Sequence, residues 1–176
     1  MRVVAGELGG RRLVSPDGTS TRPTTDRVRE AIFNSLGSAG LIDGALVADL
    51  YAGSGALGIE ALSRGAEHCT FVERDRTALR ALEANLDALD LRSRSKVISF
   101  DVFSVANSID VDIAFADPPY EFEEWPRLLE LLKVDVLIAE SGRAIEPAEG
   151  WEQRRTKRYG RATVTHLERL AAPTTN

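Results

Sequence analysis

Short apolar runs alternate along the chain with segments in which apolar residues recur every three to four positions. The runs are rich in β-branched and aromatic residues, which predicts β-strands. The predicted strands are residues 45–50, 69–73, 96–100, 111–116 and 134–140. The periodic segments predict helices at 56–64, 76–88 and 123–132, and an earlier one that begins at Thr25 or Asp26 and runs to about Leu36. Strands alternating with helices indicate an α/β fold around a parallel sheet.

Both ends of the chain have a different pattern, in which two short runs flank glycines. Residues 2–5 and 11–14 flank a glycine-rich loop and predict a β-hairpin that is too short to be an independent domain. Residues 151–159 and 161–167 flank Gly160 and predict an antiparallel hairpin. We therefore expect an N-terminal arm and loop at residues 1–25 and one main domain at residues 26–176.

The composition limits the possible chemistry. A length of 176 residues with 43% hydrophobic residues fits one domain with a sizeable core. One cysteine and two histidines exclude a disulfide framework and leave almost nothing for Cys/His metal binding or for Ser/His and Cys/His catalysis. Cys69 lies within a predicted strand and is expected in the core. Without a signal peptide or long apolar run, the sequence predicts a soluble cytoplasmic protein with no membrane partner and no metal, and we expect a monomer.

Charge is distributed unevenly, although the net charge is −5. Residues 1–29 carry six arginines and three acids, and residues 150–170 carry six basic residues and two acids, whereas the segment between them is strongly acidic. An acidic body with two basic ends could bind RNA if those ends converge. The alternative is that the basic residues only keep surface strands solvated.

Three arginines, Arg22, Arg27 and Arg29, lie near the start of the first predicted helix. Positive charge at that place opposes the helix dipole, so it is locally unfavourable. It suggests a partner such as a phosphate or the carboxylate of a cofactor. An ion pair with Asp26 or Glu30 is the alternative.

A glycine-rich loop follows the strand at 45–50 directly. Gly53, Gly55 and Gly58 match G-x-G-x-x-G between a strand and a helix, which is the context in which this pattern binds a cofactor. The next strand ends at Glu73, whose carboxylate is placed to accept hydrogen bonds from both ribose hydroxyls of an adenosine-containing cofactor. Asp101 follows the third strand and could bind an adenine amino group or could cap a helix.

The tetrapeptide Asp117-Pro118-Pro119-Tyr120 ends the strand at 111–116. In open parallel sheets, ligands bind at the edge formed by the carboxyl ends of the strands. Asp117 could accept a hydrogen bond from one N–H of an exocyclic amine, and the rigid Pro118 carbonyl could accept one from the other. These two bonds would free the lone pair of the nitrogen. The Tyr120 ring could stack on the base. The alternative is a helix-initiating turn with Asp117 as the cap.

The glycine loop and Glu73 fit either a nicotinamide dinucleotide or S-adenosylmethionine. Asp49 directly precedes the loop and could receive a methionyl ammonium group. Together with the Asp-Pro-Pro-Tyr tetrapeptide and the final hairpin, it favours S-adenosylmethionine.

These segments resemble a known family. The tetrapeptide Asp117-Pro-Pro-Tyr is similar to the amino-methyltransferase signature of class I methyltransferases. Over nearly the whole chain, the sequence resembles the bacterial RsmD family of small-subunit ribosomal RNA guanine-N2 methyltransferases. The segments that carry this resemblance are Met1-Arg-Val-Val-Ala-Gly, Arg22-Pro-Thr-Thr-Asp-Arg-Val-Arg-Glu-Ala-Ile-Phe-Asn, Asp49-Leu-Tyr-Ala-Gly-Ser-Gly-Ala-Leu-Gly-Ile-Glu-Ala and Phe71-Val-Glu.

The resemblance implies a Rossmann-like, seven-stranded, mostly parallel sheet with helices on both faces and strand seven inserted antiparallel in the final hairpin. It also implies methyl transfer from S-adenosylmethionine to the exocyclic N2 of one guanine in 16S ribosomal RNA, on an assembling or assembled small ribosomal subunit.

Residue roles follow from the same resemblance. The cofactor is expected at Asp49, Tyr51, Ala52, Gly53, Gly55, Gly58, Glu73, Arg74, Asp101 and Val102. The amine-activating pocket is expected at Asp117, Pro118, Pro119 and Tyr120. The arm and the stretch after it are expected to help bind RNA through Arg2, Arg11, Arg12, Arg22, Thr24, Arg27 and Arg29.

One departure from the pattern is Asp117, where many amino-methyltransferases have Asn. A carboxylate can accept from the same amine but adds negative charge, which could attract the sulfonium and help remove the proton. Whether Asp117 is a base or only an acceptor stays open.

Three other functions also stay open. The tetrapeptide serves any planar amine, so the substrate could be adenine N6 in DNA or a protein glutamine. The glycine pattern alone fits a nicotinamide-dependent oxidoreductase, although a Tyr-x-x-x-Lys proton donor is not evident. A non-catalytic RNA-binding or assembly factor could also keep this fold.

Overall fold

Seven strands form one mixed sheet in the structure, a computed structural model that describes residues 1–16 and 26–171. The strands are β1 (Leu46–Leu50), β2 (His68–Val72), β3 (Ser95–Ile98), β4 (Asp110–Ala116), β5 (Lys133–Ser141), β6 (Trp151–Tyr159) and β7 (Ala162–Arg169). The helices are α1 (Asp26–Ser38), α2 (Ala56–Ser63), α3 (Arg76–Ala88), α4 (Val102–Val105) and α5 (Trp125–Leu131). Short 3-10 turns lie at Arg92–Arg94 and Ala106–Ser108. Thr25, the other candidate start of the first helix, lies outside the described residues.

The strand order is β3-β2-β1-β4-β5-β7-β6. Strands β1 to β5 are parallel, and β7 pairs antiparallel with both β5 and β6. This order confirms the Rossmann-like seven-stranded sheet and the inserted strand seven. Leu50 of β1 is level with Val72 of β2 and Ala116 of β4. Because these strands end together, the loops that follow them share one edge of the sheet.

Each face of the sheet packs against helices and has its own core. On one face, Phe33 of α1 packs against Phe115 of β4 with ring centroids 5.2 Å apart, and Leu82 of α3 belongs to the same buried cluster. On the other face, Val102 of α4 and Leu128 of α5 belong to the second buried cluster. Strand side chains alternate between the two clusters, as expected for a sheet covered on both faces.

The N-terminal arm, residues 1–16, makes a chain reversal but not two regular strands. Its antiparallel pairing is a single bridge between Arg2 and Arg12, supported by hydrogen bonds from the Val3 amide to the Arg11 carbonyl and from the Gly10 amide to the Val3 carbonyl. The prediction of a reversal around the glycines is confirmed, whereas the prediction of four-residue strands is wrong. So short a pairing needs support from the main domain.

Helix α2 provides much of that support. The buried Glu60 carboxylate accepts hydrogen bonds from the amides of Val4 at 2.7 Å and Ala5 at 3.1 Å. The Ser63 carbonyl accepts from the Glu7 amide at 2.8 Å. A Cβ atom on Gly6 would lie 1.9 Å from that same carbonyl oxygen, so only glycine permits this close approach. The arm is therefore fixed to the helix that starts at the glycine-rich loop.

The other predicted elements are present with small shifts at their ends. Strand β3 ends at Ile98, two residues before the predicted end, and α5 begins at Trp125 with proline in its first turn. Cys69 is buried, as expected, and Trp125 and Trp151 are also buried. Over residues 1–16 and 26–171, no helix is both long and apolar enough to cross a membrane.

Candidate active site

A cleft of about 680 Å³ opens at the edge where the parallel strands end. Its walls come from the loops after β1, β2, β3 and β4, and from the end of the N-terminal arm. The structure thus brings together four segments that the sequence singled out separately: the glycine-rich loop, the acid after β2, the acid after β3 and the Asp-Pro-Pro-Tyr tetrapeptide. Such a position, at the carboxyl ends of parallel strands, is where α/β folds bind ligands.

The three loop glycines have different structural roles. Gly53 lines the cleft with φ of +57°, and a Cβ atom there would meet no atom of the described residues within 4 Å. A Cβ atom on Gly55 would lie 2.4 Å from Leu82, and one on Gly58 would lie 2.3 Å from the Phe71 ring. Gly53 therefore leaves open space for a ligand, whereas Gly55 permits close packing against Leu82 of α3 and Gly58 permits α2 to pack closely on β2.

Asp49 supports the loop from beneath instead of lining the cleft. Its side chain is buried, and its Oδ2 accepts a hydrogen bond of 2.8 Å from the Gly58 amide. Burial raises the pKa of Asp49 well above its usual range; the Gly58 hydrogen bond opposes this shift, and the carboxylates of Asp117 and Glu73 add to it. The expected contact of Asp49 with a methionyl ammonium stays a prediction, and the structure adds a role as support for the loop.

Glu73 joins the loop after β2 to the glycine-rich loop. Its Oε2 accepts from the Gly53 amide at 2.8 Å, and its Oε1 accepts from the amides of Arg74 and Asp75, each at 2.8 Å. All four residues line the cleft. A carboxylate has about four lone-pair sites, so Glu73 can still accept from a ligand hydroxyl while it keeps these bonds.

Asp101 has one of the two roles that the sequence left open, and it also makes an ion pair. Its Oδ1 accepts from the Phe103 amide at 3.0 Å and so caps α4, which confirms the helix-cap alternative. Its Oδ2 pairs with the Arg74 guanidinium at 2.8 Å, and both side chains line the cleft beside the buried Val102. The position remains compatible with an adenine contact.

An aromatic cluster that the sequence analysis missed forms another wall of the cleft. Phe122 packs edge-on against Tyr51 with centroids 5.5 Å apart and against Trp125 at 4.8 Å, and it stacks on Phe103 at 6.1 Å. The one sequence feature that could have indicated this cluster was Phe122, an aromatic residue two positions after the tetrapeptide. These rings give the cofactor side of the cleft an apolar surface suited to a planar base.

Tyr51 is held in an unusual conformation at the start of the glycine-rich loop, with φ of +62°. Its hydroxyl is buried without a hydrogen-bond partner among the described residues. Burial raises the pKa of Tyr51 above its usual range, and the carboxylates of Asp101 and Glu124 add to this effect. The hydroxyl is therefore neutral and can bond to a group that enters the cleft. Ala52, next to Tyr51, also lines the cleft.

All four tetrapeptide residues line the same cleft. Asp117 is half-buried, Pro118 is buried, and the Tyr120 ring is 51% exposed. The Phe122 amide bonds to the Pro119 carbonyl at 2.9 Å, which closes a turn instead of starting a helix. The helix-cap alternative for Asp117 is wrong, because α5 begins eight residues later.

The arginines expected to contact RNA separate into two groups. Arg2, Arg11, Arg12 and Arg27 are exposed. Arg29 is instead completely buried: it donates to the Arg2 carbonyl at 2.6 Å and pairs with Asp26 at 2.8 Å. The expectation for Arg29 is corrected, because this side chain fastens the arm to α1. Arg22 and Thr24 lie outside the described residues.

The arm also reaches the cleft, through a contact that the sequence did not indicate. Buried Asn85 of α3 accepts from the Val14 amide at 2.7 Å and donates to the Val14 carbonyl at 3.0 Å and to the Ser54 carbonyl at 2.9 Å. Ser15 and Pro16, which follow Val14, line the cleft, as does Met1. The side-chain amide of Asn85 therefore connects the arm to the glycine-rich loop.

Comparisons with known proteins agree with this geometry. The family model described as conserved hypothetical protein 95 matches residues 1–168. Ribosomal RNA small subunit methyltransferase D of Escherichia coli K12 is 38% identical over 184 residues, which cover 97% of this chain and 91% of the relative. The solved structure of yhhF from Escherichia coli has a TM-score of 0.84 and 33% identity, and covers 98% of this chain and 99% of that one.

A more distant structure shows the fold alone. Magnesium protoporphyrin IX methyltransferase from Synechocystis PCC 6803, solved with bound SAM, is 15% identical with a TM-score of 0.66 over 81% of this chain and 78% of its own. The chain thus has a Rossmann-like class I methyltransferase fold, and it belongs to the RsmD family of ribosomal RNA small subunit methyltransferases.

Proposed function

We propose that this chain transfers a methyl group from S-adenosylmethionine to the exocyclic N2 of a guanine in 16S ribosomal RNA. The observation that carries the proposal is the shared cleft, in which Asp117, Pro118 and Tyr120 face the same space as Gly53 and Glu73. The name of the Escherichia coli relative, a small subunit methyltransferase, supports ribosomal RNA as the substrate class. Family membership also disfavours the nicotinamide-dependent alternative.

The residues on the cofactor side fit S-adenosylmethionine, which supplies an electrophilic methyl group. Gly53 leaves room for the ligand backbone, and the remaining acceptor capacity of Glu73 suits a ribose hydroxyl. The Tyr51 hydroxyl, which has no hydrogen-bond partner among the described residues, and the ring of Phe122 offer one hydrogen bond and one apolar surface. Asp101, which holds Arg74 at 2.8 Å, is the residue that we propose contacts the adenine.

The substrate side would prepare the amine. A guanine N2 amine is a weak nucleophile because its lone pair is delocalised into the ring. Asp117 and the Pro118 carbonyl accept its two N–H groups and draw the nitrogen towards a tetrahedral geometry, while the exposed Tyr120 ring stacks on the base. The nitrogen would then attack the methyl carbon, the bond from that carbon to sulfur would break with its electron pair going to sulfur, and S-adenosylhomocysteine would leave. The amine proton would pass to Asp117 or to water. A base taken from a stem must first be flipped out.

The test identifies the methylated nucleoside. Purified protein and methyl-labelled S-adenosylmethionine are incubated with small ribosomal subunits that lack their native methylations, and in parallel with naked 16S RNA and duplex DNA. We expect label in N2-methylguanosine from ribosomal RNA only. Label in N6-methyladenine of DNA, or in protein, would support another amine substrate, and cofactor binding without any label would support a non-catalytic factor.

The same series addresses the physiological substrate. Comparing subunits with naked RNA measures how much assembly the enzyme requires. We further propose that it acts in the cytoplasm as a monomer without a metal; gel filtration together with metal analysis of the purified protein tests the last two points.

A further inference from the structure

A second groove, of about 380 Å³, lies on the α1 side of the sheet beyond the substrate half of the cleft. Its floor is apolar and consists of Ile32 and Leu36 of α1 with Ile138 of β5 and Val164 of β7. Its rim on the sheet side comes from the last hairpin, and its rim on the helix side carries the polar side chains of α1. Nothing in the cofactor or amine chemistry above uses this groove.

The sheet-side rim is basic and aromatic. Arg155, Lys157 and Tyr159 alternate along β6 and face the groove together with His166 of β7. The Lys157 ammonium lies 5.1 Å from the centre of the Tyr159 ring, as in a cation–π contact. Among the described residues, those that line the groove include no acid. The surface therefore combines positive charge with a ring on which a base can stack.

Several exposed arginines of the main domain are already paired with acids. Arg74, Arg92 and Arg127 each pair with a carboxylate within 3 Å. By contrast, neither Arg155 nor Lys157 has a carboxylate within ion-pair distance in the described part of the chain. Their charge is therefore available to an outside partner. In an acidic protein with net charge −5, such a patch attracts polyanions locally.

The position of the groove links it to the substrate. The ends of β1, β2 and β3 carry the proposed cofactor contacts, so RNA approaches from the β4 side. The Tyr120 ring lies close to Gly142, just after β5, because a Cβ atom on that glycine would be 3.4 Å from the ring. In the strand register, Arg158 of β6 is opposite Thr163 of β7, which is opposite Ser141 at the end of β5. The turn of the last hairpin therefore lies at the edge of the sheet that carries the cleft. Three strand spacings, about 14 Å, separate β4 from β6.

We propose that this groove binds a single-stranded segment of the RNA substrate adjacent to the target guanine. Arg155 and Lys157 contact its phosphates, and Tyr159 stacks on one of its bases, which is the combination that single-stranded nucleic acids favour. The inference rests on the proposed function and extends it by giving the RNA a second contact site. Charge on an edge strand also discourages sheet-to-sheet association. That role alone does not account for an aromatic ring and two cations turned together into a groove.

The test compares two charge-matched double variants. Arg155→Ala with Lys157→Ala removes the groove cations, and Lys96→Ala with Lys133→Ala removes two exposed charges from β3 and from the far end of β5. Binding of naked 16S RNA is measured over a salt titration, and methylation is measured at varied RNA concentration. We expect the groove variant to bind RNA roughly ten-fold more weakly at low salt, with a salt slope smaller by about 1.4. Its KM for RNA should rise while kcat and cofactor affinity stay unchanged.

A third variant separates stacking from charge. Tyr159→Leu should weaken RNA binding several-fold without changing the salt slope, because the ring carries no charge. Equal effects of the two double variants on RNA binding would overturn the proposal. So would a defect seen on ribosomal subunits but not on naked RNA, because it would indicate a protein contact. Failure of the unmodified enzyme to form N2-methylguanosine would instead refute the proposed function, so the two failures are distinguishable.

Discussion

The side-chain amide of Asn85 donates a hydrogen bond of 2.9 Å to the carbonyl oxygen of Ser54 in the glycine-rich loop. The same side chain holds both backbone groups of Val14, so it joins two segments that are far apart in the sequence. The arm and the loop therefore share one buried polar contact. Asn85 is not among the residues that line the cleft, so any effect of this contact on a ligand would act through the loop.

We expect Asn85→Ala to lower the free energy of unfolding by about 2 to 3 kcal/mol, because buried backbone groups lose their partners. We also expect weaker S-adenosylmethionine binding, since the loop is no longer held. Urea unfolding and calorimetric titration measure the two effects. Asn107→Ala, at an exposed position, is the control and should change neither. An Asn85 variant with unchanged cofactor affinity would show that the loop keeps its shape without the arm.

The separate roles of Asp117 and Glu73 give a second prediction. Asp117→Ala should abolish methyl transfer and leave cofactor binding intact, because the carboxylate acts on the amine. Glu73→Ala should mainly weaken cofactor binding, because it removes the ribose acceptor and the bond to the Gly53 amide. Calorimetric titration with S-adenosylmethionine and single-turnover methylation distinguish the two. Equal loss of binding in both variants would contradict this assignment.

Much of the site could be predicted from the sequence, because its chemistry lies in short local patterns. The glycine-rich loop, Glu73 and the tetrapeptide each follow a strand, and parallel strands bring their ends to one edge. The inserted strand seven came from the family resemblance, because residues 151–167 read alone indicate only a hairpin. Local pattern was sufficient for the loop, Glu73 and the tetrapeptide, but not for the position of strand seven.

Side-chain direction and distant partners could not be predicted in this way. Asp49 precedes the loop in sequence, but its carboxyl turns beneath the loop to Gly58. Arg29 looks like an exposed helix-start arginine, but the arm covers it and Asp26 pairs with it. No sequence pattern indicated that Asn85 connects the arm to the loop. In each case, a residue's role depends on contacts that form only when the arm and the sheet are assembled.

The two glycines Gly53 and Gly58 should respond differently to alanine. Gly58→Ala forces a methyl group against Phe71 and Cys69, and we expect a loss of about 1 to 3 kcal/mol in stability. In Gly53→Ala the new methyl group contacts no atom of the described residues, so only the positive φ lowers stability, by about 1 to 2 kcal/mol. Its methyl group enters the cleft, so it should weaken cofactor binding more than its effect on stability suggests. Thermal unfolding with and without S-adenosylmethionine measures both; a larger ligand-induced shift in Gly53→Ala than in Gly58→Ala would contradict the assignment.

Burial of Asp49 predicts a dependence of stability on pH. Its pKa is raised in the folded protein, mainly by burial, so the folded state holds a proton that the unfolded state has already released. This group therefore lowers stability as pH rises from the unfolded pKa, about 3.9, to the raised folded value, and its effect is constant above that.

Asp49→Asn keeps an oxygen acceptor for the Gly58 amide and cannot ionise. The variant should match the original protein in stability near pH 4 and become progressively more stable than it towards neutral pH. Urea unfolding at a series of pH values measures the difference. Asp110→Asn, at an exposed position on β4, controls for the loss of one negative charge. A stability difference for Asp49→Asn that stays constant with pH would contradict the raised pKa and would mean that the Gly58 amide fully stabilises the buried carboxylate.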